Sequence, residues 1–105
     1  MNAVFSARAI LLQELCFGPG YGSDLAKRVA DRTGYKVTLW EGSVYPALSS
    51  LARDGLAKRL PVDRPEVKAE VVRGRTPKRY EISAAGRAIA KEHQAAAMSL
   101  FVHFA

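Results

Sequence analysis

Hydrophobic positions along this chain recur at helical spacing in four stretches and alternate in two. The first stretch, "NAVFSARAILLQELCF", contains neither Gly nor Pro. Val4, Ala7, Leu11 and Leu15 fall on one stripe, with Leu12 and Cys16 to one side of it. A helix apolar on more than one face must bury more than one face. One face is expected against its own domain and the other against a partner subunit. "GPGYG", Gly18 to Gly22, ends this helix as a helix–helix turn. It lacks the Lys and Ser/Thr that a phosphate loop requires.

"SDLAKRVADRTG" follows as a second helix, with Ser23 as its N-cap, Asp24 at its positive start and Gly34 at its end. Leu25 and Val29 are one turn apart. "YKVTLWE" reads as irregular. The third helix is "GSVYPALSSLARDGL". With Ser43 as N-cap, Pro46 becomes the third helical residue, where the missing N–H loses no helical hydrogen bond. Val44, Leu48 and Leu51 line one face, with Ala47 beside them. Tyr45, Pro46, Ser49, Ser50 and Arg53 point the other way.

"LAKRL" and "KRYEI" alternate like two antiparallel strands. The connection between them is long for a hairpin, rich in charge and carries three prolines, so a mobile tip is expected. "EVKAEVV" within it leaves open an extension of the ladder. The final stretch, "SAAGRAIAKEHQAAAMSLFVHF", predicts a helix capped by Ser83 and apolar toward its end. Such an end is expected to meet another subunit.

Composition sharpens this outline. The chain has 105 residues, 49% hydrophobic and 25% charged, as in an ordinary globular domain. Its net charge is +6. Arg53 to Tyr80 holds nine Lys or Arg against four acids, so +5 of that charge is concentrated there. A localised cationic footprint points to an anionic partner, nucleic acid before membrane. The single cysteine, Cys16, excludes an internal disulfide and reads as a small buried apolar residue. The start lacks the features of a secretory signal, and no run is long enough to span a membrane, so a cytoplasmic location is expected.

The order is three helices, a strand, a basic tip, a strand and a helix. That is a mainly α (α+β) winged helix–turn–helix, with a two-stranded wing and a C-terminal dimerisation helix. Residues 1–83 form the expected DNA-binding part and 84–105 the dimerisation helix, together one compact unit. A major groove admits a helix whose outer side chains are compact, and a cationic hairpin beside it can lie on phosphates.

Three blocks also resemble a known family. "ILLQELCFGPGYGSDLAKRV", "GSVYPALSSLARDGL" and "GRTPKRYEISAAGR" are similar to the signature blocks of the PadR family of bacterial transcriptional regulators. The resemblance runs from about Ile10 to Arg87. It implies a dimeric DNA-binding repressor, with the helix from Ser43 in the major groove and the wing from Pro61 to Pro77 on the backbone or minor groove. The C-terminal helix would pack near the partner's first helix. Ending after one such helix resembles the short subfamily. The chain departs from the family pattern at Ser23, Thr76 and Glu81, which touches the wing contacts more than the fold.

On these grounds the candidate DNA-contacting residues are Ser43, Tyr45, Pro46, Ser49, Arg53, Arg73, Arg75, Lys78 and Arg79. The angle of Tyr45, opposite Leu48 and Leu51, favours contact over packing. Arg53 reads equally as a phosphate contact or as a charge suited to a helix C-terminus. The wing cations read as a footprint or as a solvated hairpin. Phe5, Leu12, Met98, Phe101 and Val102 are the candidate dimer contacts. Trp40 is assigned to core or dimer packing. His93 and His103 have no metal-ligand spacing around them, no catalytic set is visible, and no cofactor is expected. The partners expected are an operator duplex and a second copy, with a small effector between the first and last helices that no residue identifies. The competing reading is a winged-helix module that binds protein and not DNA.

Overall fold

The computed structural model describes residues 6–61 and 78–104, leaving aside the side chains of Phe101, His103 and Phe104. Helix α1 spans Ala7–Leu15, strand β1 Gly20–Tyr21, helix α2 Gly22–Arg32 and helix α3 Glu41–Arg53. Strands β2, Ala57–Leu60, and β3, Arg79–Ile82, precede helix α4, Ala84–Phe104. The winged helix–turn–helix outline is present.

α1 starts where the Ser6 hydroxyl accepts the Ala9 amide at 3.1 Å. Its burial answers the question raised by its apolar faces. The helix packs against α2, α3, α4 and β3 of its own chain. Leu12, expected toward a partner, is only 1% exposed and belongs to the core with Leu11, Leu15, Leu25, Leu48 and Leu51. The several apolar faces are thus covered from within.

The glycine-rich turn contains a strand that sequence pattern did not predict. Gly20 pairs with Tyr80 and Tyr21 with Arg79, so the wing becomes a three-stranded antiparallel sheet of order β1-β3-β2. This pairing holds Tyr21 extended and moves the start of α2 forward. The N-cap is Tyr21, without a side-chain cap, and Ser23 stands exposed in the first turn.

α2 and α3 end alike. Tyr35 N–H donates to Ala30 O and Gly34 N–H to Asp31 O; Leu56 N–H donates to Leu51 O and Gly55 N–H to Ala52 O. Both are Schellman motifs, whose left-handed position falls on Gly34 (φ 61) and Gly55 (φ 76). The stop expected at Gly34 therefore holds, and Gly55 supplies the same left-handed position after α3.

The start of α3 differs from expectation. Its N-cap is Trp40, and Ser43 is the third helical residue, its hydroxyl donating to Trp40 O at 2.6 Å. Pro46 is then the sixth residue, not the third. It removes the amide that the Gly42 carbonyl would have accepted. Gly42 is exposed, so water can take that acceptor.

In the wing, Ala57 stands opposite Ile82, Lys58 opposite Glu81, Arg59 opposite Tyr80 and Leu60 opposite Arg79. Ala57 and Tyr80 are buried, while Lys58 and Arg59 are exposed. The expected mobile tip and the "EVKAEVV" stretch lie outside the described residues. Ser83 caps α4 as predicted: its hydroxyl accepts the Gly86 amide at 3.0 Å and donates to Gly55 O at 2.7 Å. Gly86 is buried so tightly that a Cβ there would overlap the Leu56 carbonyl oxygen.

Candidate nucleic-acid interface

α3 is fixed from one side and open on the other. Val44, Ala47, Leu48 and Leu51 are buried; Tyr45, Pro46, Ser49 and Arg53 are exposed. At 100° per residue, positions 42, 45, 46, 49 and 53 form one stripe. The outer side chains are compact apart from Tyr45 and Arg53, which suits entry into a groove about 12 Å wide.

Tyr45 does two things at once. It is 41% exposed, yet its ring lies across the first residue of α2. A Cβ on Gly22 would stand 2.8 Å from Tyr45 Cε1. The glycine after Tyr21 thus leaves room for the side of the ring formed by Cδ1, Cε1 and Cζ to pack against the neighbouring helix. Ser43 is half-buried and spends its proton on Trp40 O.

Arg53 projects from the last turn of α3, held at 3.3 Å to the Ser50 hydroxyl and 3.8 Å to Asp54. The firmer partner of Asp54 is Arg8, at 2.8 Å, which also donates to Ser50. Arg8 therefore braces α1 against the end of α3, and Arg53 remains exposed. Lys78 and Arg79 are half-buried at the base of the wing. Arg79 lines an open cleft of about 550 Å³ with Tyr21, Asp24, Lys27 and Arg28. Arg73 and Arg75 lie outside the described residues, as does Phe5. Lys58 and Arg59, exposed on β2, are cations that site selection from sequence left out.

The helices behind this face are tied by a cluster that periodicity does not reveal. Glu14 is 3% exposed. Its carboxylate accepts Arg28 Nε at 3.2 Å and two Arg32 nitrogens at 2.9 and 2.8 Å. Arg28 also donates to the carbonyls of Glu14, Gly18 and Pro19, each at 3.1 Å. Arg32 lies 3.7 Å from the centre of the Phe17 ring. The turn between α1 and α2 is thereby clamped. An ionised group buried this far needs such partners.

Along α4, Met98 and Val102 are exposed and the side chain of Phe101 is not described. Gln13 joins α1 to α4, donating to Ala90 O at 2.8 Å and accepting from Gln94 at 2.7 Å. Beside this seam is a cavity of about 260 Å³ lined by Arg8, Leu12, Leu56, Ile89 and His93. The His93 Nδ1 is buried with no hydrogen-bond partner among the described residues. Cys16 is half-buried, its thiol 3.6 Å from Leu12 O. Trp40, expected in core or dimer packing, is 78% exposed and so lies outside the core of its own chain. Among the described residues no helix is long and apolar enough to cross a membrane.

The sequence matches the transcriptional regulator PadR-like family over residues 11–92. No curated protein matches it. Solved structures share its fold. A transcriptional regulator from Clostridium thermocellum is 19% identical with a TM-score of 0.72, covering 93% of this chain and 84% of the other. A PadR-like transcription factor from Bacteroides fragilis is 21% identical with a TM-score of 0.65, covering 94% and 92%. The circadian clock associated protein Pex from Anabaena is 19% identical with a TM-score of 0.61, covering 94% and 81%.

Proposed function

We infer, from the premise that this chain belongs to the PadR-like family of transcriptional regulators, that it is a cytoplasmic homodimer that represses transcription by binding double-stranded DNA at preferred sequences. The family consists of regulators, not enzymes. The observation that carries the reading is the exposed stripe of Tyr45, Pro46, Ser49 and Arg53 on a helix whose other face is anchored in the core. In this reading α3 enters the major groove. Lys58, Arg59, Lys78 and Arg79 neutralise phosphates, joined by Arg73 and Arg75 from the wing tip. Phosphate contacts set position and affinity, while the few side chains on α3 and the shape of the duplex supply sequence preference.

The second copy packs through α4, where exposed Met98 and Val102 lose their contact with water, together with Phe101 and Phe5. Two α3 helices related by a twofold axis then read half-sites one helical turn, about 34 Å, apart. Residues 1–83 carry DNA recognition and 84–105 dimerisation. The cavity between α1 and α4 suits a small effector of roughly one ring, below the usual range of about 300–1,000 Å³ for drug-sized ligands. Its occupation would shift α4 against α1 and change the spacing of the two α3 helices.

Enrichment of duplexes from a random library tests this reading. An inverted repeat is expected. Retention on heparin with no enrichment of any duplex would instead favour a protein-binding module.

A further inference from the structure

The outward stripe of α3 begins with a residue that has no side chain. Gly42 lies within about 60° of Tyr45, Pro46, Ser49 and Arg53 around the helix axis. It is the leading position of the stripe, and it is blank. The blank is filled by the residue before the first turn. The six-membered ring of Trp40 folds back over Gly42, so that a Cβ there would stand 2.6 Å from Cη2, 2.7 Å from Cζ2 and 2.9 Å from Cζ3. The indole thus rests on backbone while remaining 78% exposed.

An isolated exposed aromatic needs no explanation. Its position here supplies one. We propose that Trp40 is a base-reading residue, whose indole edge contacts a thymine methyl group at the leading end of α3. This rests on the DNA-binding reading above. A recognition helix reads bases mainly through its N-terminal residues. The stripe carries no Asn or Gln, and its one arginine, Arg53, stands at the opposite end. Bidentate polar readout is therefore missing from the leading turn. Apolar contact with the thymine C5-methyl is the readout that such a surface can make. Glu41, exposed beside Trp40, opposes the approach of a phosphate at this end and favours base edges over backbone. Gly42 has a defined part in the arrangement, because any side chain there would displace the ring.

Trp40 is the only tryptophan in the chain, so fluorescence reports this position alone. The probe is the duplex enriched from a random library by the intact protein. Binding is expected to protect Trp40 from acrylamide quenching. Replacing thymine by deoxyuridine at one operator position should weaken the native protein about fourfold, the equivalent of one methyl group buried. Trp40→Ala, checked for an unchanged circular dichroism melt, should lose that discrimination while still binding. Two results overturn the proposal and leave DNA binding standing. One is a bound enriched duplex with Trp40 as quenchable as in the free protein. The other is equal response of the native and Trp40→Ala proteins to every deoxyuridine substitution. Failure to enrich any duplex overturns the DNA-binding reading itself, and this assignment with it.

Discussion

The ring of Tyr45 lies so close over Gly22 that a methyl group on that glycine would stand 2.8 Å from its Cε1. The contact joins the first turn of α2 to the outward face of α3, the two elements of the helix–turn–helix. It also explains why an aromatic residue can be part buried and part exposed on the outward face of α3.

Tyr45→Ala separates the two roles. Loss of a part-buried ring should cost about 1 kcal/mol of stability. Affinity for an enriched duplex should fall about tenfold, near 1.4 kcal/mol. Urea unfolding and fluorescence anisotropy measure the two quantities. Full binding by a destabilised variant would assign Tyr45 to packing alone.

Glu14→Ala should be among the most damaging substitutions in the chain, costing about 3 kcal/mol. It removes the buried acceptor of three hydrogen bonds and leaves the α1–α2 turn held only by the bonds from Arg28 to its carbonyls. Asp54→Ala breaks a partly exposed pair with Arg8 and should cost about 0–1 kcal/mol. Comparing the two unfolding midpoints checks the order; equal costs would contradict it.

Gly86→Ala sets two effects against each other. Alanine is the better helix former by about 1 kcal/mol. The added methyl would overlap the Leu56 carbonyl oxygen, which also accepts the Ser83 amide. Backbone cannot move aside cheaply, so a net loss of about 1–3 kcal/mol is expected. A more stable variant by thermal melting would show that this close approach is not fixed.

Pro46→Ala tests the revised start of α3. A proline in the sixth position denies an amide to Gly42 O, so the substitution should stabilise the fold, by about 1–3 kcal/mol. Had Pro46 been in the first turn, the change would be near neutral.

Removing residues 99–105 deletes the end of α4 beyond the exposed Met98 and takes Val102 with it. Light scattering should then report monomer or aggregate in place of dimer. A dimer of unchanged mass would mean that the contact lies elsewhere.

The periodic elements were legible in the sequence because their causes are local. The spacing of Val44, Leu48 and Leu51 determines which face of α3 is buried, and Gly34 and Gly55 announce their turns through the left-handed backbone they permit. What escaped depends on distant partners. β1 is two residues long and exists because Tyr80 and Arg79 lie beside it. That pairing also displaced the start of α2 from Ser23 to Tyr21. The local pattern gives no sign of the burial of Glu14, because its arginines are 14 and 18 residues further on. Leu12 suggested a partner because nothing in its spacing reveals that four elements surround α1. Trp40 suggested core or dimer packing because hydrophobicity does not show that Gly42 offers it a seat outside the core.

The most direct test of DNA recognition by α3 and its cationic wing is a salt titration of binding to the enriched duplex and to a shuffled duplex of equal length. Neutralising six phosphates through each protomer predicts an affinity loss of at least about a thousandfold between about 50 and 200 mM salt. The enriched duplex should remain tighter throughout, because base contacts survive screening. Identical affinities for the two duplexes, or affinity indifferent to salt, would contradict the account.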